Sequence, residues 1–542
     1  TTTYPNGQTT TYSYYGNTGD RRLQTLHHKL SGGATLSKFD YTYDRVGNIL
    51  SWQQQVDTAA PTQWTYTYDL ADQLASAFKK TTDPTPTLLA RFQYSYDQAA
   101  NRTSEQIGDS LSGVTVNALN RLVSQQPSGQ LHVSGSLSEP GTVTVNGQGA
   151  VVDASNGFAA RVPVQSAANA LTVVATDSSG NSRTQIYDVD STGATKSFSY
   201  DANGNMTSDG SRTFEWDAEN RLVAVIIGTH RSEFTYDGQS RRVRIVEKDS
   251  GVTIRDASMF WTNRELIEER LTTGEINRFL PDGEQRNGTA HYRTKDLLGN
   301  IREVTSSTGS VVERNDYDPY GRIVGVGTAS SRFGLTGHDF HQPSGLYLTL
   351  HRAYDPELAR WLSEDPTRFS DGLNLYNYVR NQPTTMWDPF GLAQAPPGPP
   401  PIPLPPGRNG EPNRWVPGSG SPDRPVRWKP EFPVDNPKGS QPNASWDPKN
   451  DHWDRHDGRG NTDRFDRTGK PVDHWNRPLD KTTNPRGDRP NSPGPGGTRP
   501  MDPIPPVPDI PTSWPGPFPL IVNPCLYMPW LAACNPARSC KT

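Results

Sequence analysis

The sequence predicts a mainly β chain: a long sheet of repeated strand-turn-strand units, an inserted β-sandwich, and a proline-rich, mostly irregular C-terminal tail. Three observations predict it. Aromatic residues alternate ahead of an aspartate again and again before residue 392. Helix-length apolar periodicity is nearly absent from the same stretch. Of 49 prolines, 35 follow Leu392 and only 14 precede it, so two different materials are joined end to end. The 542 residues carry a formal net charge of -4, with 32% hydrophobic and 21% charged residues. That length allows several domains, and the apolar fraction is low for one large core. The balance of charge excludes whole-chain electrostatic binding to nucleic acid, although not a local basic site.

The repeat comes first in the chain. Phe39, Tyr41 and Tyr43 alternate before Asp44, with Gly47-Asn48 after. Trp64, Tyr66 and Tyr68 precede Asp69, and Phe92, Tyr94 and Tyr96 precede Asp97. Tyr200-Asp201, Trp216-Asp217, Tyr236-Asp237 and Tyr317-Asp318 continue the pattern. Residues at i, i+2 and i+4 share one face of a strand. Aspartate ends the strand, and Gly-Asn or Asn-Arg tolerates left-handed turn geometry. One hairpin cannot bury its aromatic face alone, so successive units must join in a continuous sheet. Asp69-Leu70-Ala71-Asp72 is a degenerate unit without glycine.

Residues 128–190 interrupt the repeat. Leu131-His132-Val133, Val143-Thr144-Val145, Phe158 to Val164 and Leu171 to Asp177 read as short strands separated by turn signals. That spacing predicts a β-sandwich. The segment is similar to the immunoglobulin-like modules of bacterial surface proteins, and no catalytic constellation appears in it.

The Tyr-Asp-x-x-Gly-Asn units resemble the RHS/YD-repeat family, whose sheet spirals into a hollow shell. The segment 316–392 is similar to the RHS-associated core that closes such shells. It holds Asp318-Pro319-Tyr320-Gly321-Arg322, Arg352-Ala353-Tyr354-Asp355-Pro356, Arg360-Trp361-Leu362-Ser363-Glu364-Asp365-Pro366 and Asp388-Pro389-Phe390-Gly391-Leu392. The expected organisation is shell at 1–127 and 191–315, sandwich insert at 128–190, core at 316–392 and variable tail at 393–542.

The resemblance implies self-cleavage just after Leu392, at the bond to Ala393. The change in composition falls at the same point, where Ala393-Gln394-Ala395 runs into prolines. No cysteine lies in 316–392, so a thiol nucleophile is excluded there. Two carboxyls sharing one proton can hydrolyse a peptide, one as base toward water and one as acid toward the carbonyl oxygen. Asp365 and Asp388 match the family's aspartyl positions. Gly391 supplies backbone freedom beside the cut, and Arg360 and Glu364 are weaker candidates for shaping the site. His338, His341 and His351 fit no metal template. No cofactor or metal is expected.

The tail opens on Pro396-Pro397-Gly398-Pro399-Pro400-Pro401, a polyproline II spacer. A polar block follows, with His452-Trp453-Asp454-Arg455-His456, Arg464-Phe465-Asp466-Arg467 and Asp473-His474-Trp475. The resemblance implies a toxin as cargo, and the block is loosely similar to colicin-type ribonuclease domains. His452, Asp454, His456 and His474 are then the acid-base candidates, with Arg464 or Arg467 on phosphate. The other reading is an inert, low-complexity tail, on a secreted or cell-surface structural protein whose shell and insert mediate contact. Partners implied by the first reading are the chain's own tail, an immunity protein and a secretion-system or cell-surface component.

Cys525, Cys534 and Cys540 are the three cysteines, all near the C-terminus. Either one bridge or three free thiols fits. Five prolines between Trp514 and Cys534 break any spanning helix there. Thr1 is not a start residue, so the sequence reads as part of a longer bacterial protein, secreted or at the cell surface.

Overall fold

The computed structural model describes residues 1–16, 21–324 and 332–395. Beyond these it describes 415–418, 427–430, 443–447, 452–456, 462–465 and residue 472. The chain separates into two units, 1–487 and 488–542. The second unit lies outside the described residues, as do Arg467, His474, the three cysteines and the proline runs. Among the described residues the secondary structure is strand, with three short 3-10 turns and no α-helix.

Two large antiparallel sheets hold the repeats. One has 12 strands, running in chain order from Thr2–Thr3 to Leu122–Gln126 and closed by Lys196–Ser197. The other has 13, running in chain order from Ser199–Tyr200 to Val311–Arg314. Strand order equals sequence order because each turn is too short to pass over a neighbour. The sheets meet at both ends. The Tyr200 hydroxyl accepts from Leu122 N at 3.1 Å, and Ser37 Oγ donates to Glu303 Oε2 at 2.8 Å. Between the sheets in sequence, Gly129–Ser136 through Ser182–Asp190 forms sheets of three and four strands around Val143, Val145, Val162 and Leu171.

Each repeat is built the same way. Asp44 Oδ1 accepts from the backbone N–H groups of Val46, Gly47 and Asn48 at 2.8–3.0 Å. Asn48 Nδ2 returns to Asp44 Oδ2 at 3.0 Å. The carboxylate thus satisfies the donors that a tight turn leaves without partners. The strand pairing shifts by one residue just before the aspartate, at Tyr43, Tyr68, Tyr96, Trp216 and Tyr236. A bulge of this kind adds twist and re-aims the side chain. The tyrosine hydroxyls then reach back to an earlier strand: Tyr43 to Leu23 O, Tyr68 to Ile49 O, Tyr96 to Leu74 O and Tyr236 to Leu222 O, at 2.6–2.8 Å.

The turn that lacks glycine closes in the same way. Asp72 takes φ +58° where Gly47 takes +104°, because aspartate tolerates the left-handed region. Asp296-Leu297-Leu298-Gly299-Asn300 is a further turn of this design, with Asp296 Oδ1 accepting from Leu298 N and Asn300 N. Lys295 rather than an aromatic precedes it, so the aromatic pattern does not mark it.

The faces carrying Phe39, Tyr41, Trp64, Tyr66 and Tyr94 pack on Tyr320 and Ala359. Those carrying Phe214, Phe234 and Ile245 pack on Leu346, Leu348 and Leu362. Residues 332–395 therefore fill the space that the aromatic faces need covered, using a four-stranded sheet from Asp339–His341 to Arg360–Trp361.

In the tail, five short antiparallel strands run from Trp415–Gly418 to Thr462–Phe465. Ala444, Trp453 and Phe465 enter the same apolar cluster as Tyr347, Tyr354, Trp361, Tyr378 and Met386. Burial of these few apolar side chains organises a segment whose composition is otherwise polar.

Candidate autoproteolytic site

The Leu392–Ala393 bond lies at the tip of a closed loop. Trp387 and Ala395 exchange backbone hydrogen bonds at 2.9 and 2.8 Å, forming an isolated antiparallel bridge. Residues 388–394 are the chain between its ends. Asp388 organises that loop with the chemistry of the repeat turns: its Oδ1 accepts from Gly391 N at 2.9 Å, Leu392 N at 3.0 Å and Ala393 N at 3.3 Å. The last of these is the nitrogen of the Leu392–Ala393 peptide bond. Gly391 has φ +72°, and a side chain there would collide with Thr349 Oγ1 and approach the Arg352 backbone to 3.1 Å. Glycine is required on both counts.

Arg352 is the hub. Its Nε donates to Gly391 O at 2.7 Å, and its Nη2 lies 3.0 Å from Asp388 Oδ2 and 2.9 Å from Asp365 Oδ2. The guanidinium also sits 4.3 Å from the Trp361 ring centroid. All three charged groups are buried, at 5% or less of their side-chain surface. The two carboxyls meet across one nitrogen of Arg352, where the sequence suggested a proton shared directly between them.

Thr367 completes the arrangement. Its Oγ1 stands 2.7 Å from Asp365 Oδ1 and 3.2 Å from Leu392 O, the carbonyl of the junction. Burial pushes the Asp365 carboxyl above its ordinary value, against the pull of Arg352 and the Thr367 hydrogen bond, and the Asp388 charge adds to the rise. A cavity of about 630 Å³ opens beside Asp365, lined also by His351, Ser363 and Arg368.

Asp365, Asp388, Leu392, Ala393 and Gly391 are thus brought together, and Leu392 and Ala393 are buried. Arg360 and Glu364 are not part of this group. Arg360 Nη2 donates to Asn120 O at 2.6 Å, and Glu364 pairs with Arg121 at 3.0 Å, so both fasten the core to the first sheet. The sequence reading missed Arg352 and Thr367, although both lie in or beside its quoted motifs. An arginine immediately before the apolar pair Ala353-Tyr354, which opens a fully buried strand, is the signal that could have pointed to the first.

The histidines sit apart in role. His341 Nε2 lies 2.8 Å from Glu247 and ties the core to the second sheet, while His230 Nε2, 2.9 Å from the same carboxyl, contacts it from within that sheet. His338 and His351 are held neutral by burial, each pushed down to about 4.

In the tail, His452, Asp454 and His456 alternate along one strand, and register sets Asp454 opposite Arg464. Asp454 is buried, with Arg464 Nε 3.6 Å away. His456 Nδ1 shares a hydrogen bond of 2.8 Å with Thr462 Oγ1. The side chain of His452 lies outside the described residues.

The Teneurin YD-shell family model matches residues 179–384. The tRNA3(Ser)-specific nuclease WapA of Bacillus spizizenii is 29% identical over 216 residues, covering 36% of this chain and 9% of that protein. Toxin subunit YenC1 of Yersinia entomophaga is 28% identical over 432 residues, covering 72% of this chain and 40% of the relative. A crystal structure of TcdB2-TccC3-TEV aligns at 17% identity and a TM-score of 0.32, covering 69% of this chain and 21% of that one. The chain spans less than half the length of each of these relatives. The repeat turns and the two sheets that the repeats form are those of a YD-repeat β-shell, and over residues 179–384 the chain is similar to the Teneurin YD-shell family.

Proposed function

We propose that this chain is the shell-and-cleavage part of a secreted toxin, one that cuts itself at Leu392–Ala393 and so frees residues 393–542 as cargo. The observation that carries the reading is the junction itself: the bond is buried, and its flanking amides and carbonyl are held by Asp388, Arg352 and Thr367. Asp388 stands on the nitrogen side of the bond and Asp365 on the oxygen side. Holding a reactant in place removes most of the entropy cost of the step, and a protein that cuts itself once needs no open substrate pocket.

The toxin relatives support cargo that acts on nucleic acid: one is named a tRNA-specific nuclease, another a double-stranded DNA deaminase toxin from Burkholderia cenocepacia. Asp454, His456 and Arg464 are the tail residues to test for such chemistry, together with His452 and His474. An immunity protein and a toxin-complex partner follow from the same reading, as does an extracellular site of action. Residues 129–190 act as an immunoglobulin-like spacer. No helix among the described residues is long and apolar enough to cross a membrane.

The test is expression of the full chain and of Asp388→Asn. The reading expects two fragments from the first and one intact chain from the second, with the same thermal midpoint for the shell. Intact parent chain overturns it. For the tail, residues 393–542 expressed alone in bacteria should arrest growth, and His452→Ala should relieve the arrest.

A further inference from the structure

Resting on the cleavage reading above, we propose that the Thr367 hydroxyl is a proton relay of the reaction, carrying a proton between the Asp365 carboxyl and the carbonyl oxygen of Leu392. The geometry that points to it is the bridging position of one oxygen. Thr367 Oγ1 is 2.7 Å from Asp365 Oδ1 and 3.2 Å from Leu392 O. A hydroxyl has one proton and two lone pairs, so it cannot donate to both at once. When it donates to Asp365, its lone pairs face the Leu392 carbonyl and repel charge building there. When Asp365 itself carries a proton, Asp365 donates to Thr367 and Thr367 donates to Leu392 O. Only the second arrangement stabilises a developing oxyanion. Burial raises Asp365 in the direction that this arrangement requires.

The relay is held in register by the backbone. Thr367 N donates to the same Asp365 Oδ1 at 2.8 Å, and Asp365 N donates to Leu375 O at 3.1 Å. The carboxyl and the hydroxyl therefore keep their mutual position without help from the junction loop. The cavity that Asp365 lines is roomy enough to hold water beside that carboxyl.

The steps balance. The water oxygen bonds to the Leu392 carbonyl carbon, and the carbonyl π pair moves to its oxygen. That oxygen takes the Thr367 proton as Thr367 takes the one from Asp365, while the proton released by water goes to the Asp388 carboxylate. On collapse the C–N pair leaves with Ala393 N, which takes the proton from Asp388. One hydroxyl of the diol returns its proton through Thr367 to Asp365. One water is consumed, and a Leu392 carboxyl and an Ala393 amine are formed.

Full-length chain made by cell-free translation at fixed pH, sampled over time on gels, tests the relay. The relay requires protonated Asp365, so parent cleavage slows as pH rises through that group's folded pKa. Thr367→Val should cut about 100-fold more slowly, the scale for losing one oxyanion donor, and its residual cleavage should lose that pH limb. Thr367→Ser should keep both rate and limb. If Val prevents folding, judged against the thermal midpoint of uncut Asp388→Asn, Thr367→Ala carries the same test. A hydroxyl-free variant that cuts at the parent rate, or slowly with the limb intact, overturns the relay while leaving cleavage itself standing. A parent chain that never cuts overturns the cleavage reading instead.

Discussion

Arg352 is the residue on which the site depends. It neutralises two buried carboxyls at once and holds Gly391 O with its third donor. Removing this one cation leaves two buried carboxyls uncompensated, at about 3–5 kcal/mol, whereas removing the Asp388 charge leaves the Arg352–Asp365 pair in place. Arg352→Met should therefore leave the chain uncut and lower its thermal midpoint, whereas Asp388→Asn should stop cleavage without that loss. Differential scanning of the two variants checks the contrast. Asp365, Asp388 and Gly391 could be singled out because the short motifs around them resemble those of the family, and the structure brings the three together. Arg352 and Thr367 were not, because their roles arise only where the turn at 349–352 and the segment after Asp365 fold against the 388–393 loop. Arg360 and Glu364 lie within five residues of Asp365 in sequence, while their side chains reach Asn120 and Arg121 instead.

The repeat unit shows what pattern reading can and cannot reach. Aromatic alternation gave the strands and the buried face, and aspartate with Gly-Asn gave the turn. The bulge ahead of the aspartate left no trace in composition, yet it explains why tyrosine so often precedes aspartate: the hydroxyl must reach a carbonyl in an earlier repeat. Tyr68→Phe keeps the ring and removes that hydrogen bond to Ile49 O, together with the contact to Thr384 Oγ1 at 2.9 Å. It should cost about 1 kcal/mol, measurable as a lower denaturant midpoint with unchanged cooperativity. The five strands of the tail stayed hidden for another reason. Their apolar residues are few and scattered among prolines, and what orders them is contact with an aromatic cluster far away in sequence.

Across the whole molecule, buried histidines carry one side of the titration. Burial holds His28, His338 and His351 each down to about 4. The unfolded chain binds protons at these positions below about 6.5, so it holds more of them than the folded chain between roughly pH 6.5 and 4. Stability is then fully present above that window and falls as pH drops through it. Asp318, pushed by burial up to about 6, works the other way, since the folded chain holds its proton below that pH. Asp296, Glu303 and Asp365 are raised by burial in the same sense as Asp318, so the acids oppose the histidines; the thermal midpoint should fall less from pH 7 to pH 4.5 in His338→Gln than in the parent, and equal changes would contradict the histidine share. Trp453 and Phe465 share a cluster with Trp361 and Tyr354, so cutting the backbone does not by itself remove their contact. The two fragments should co-elute on size exclusion and separate only in denaturant.

The central claim is that a buried pair of acids cuts the chain between Leu392 and Ala393. The most direct measurement is the intact mass and N-terminal sequence of freshly purified full-length protein beside Asp388→Asn. The account predicts a fragment beginning at Ala393 from the parent and a single uncut polypeptide from the variant. A parent that stays whole, a new terminus at any other residue, or equal cutting of both would contradict it.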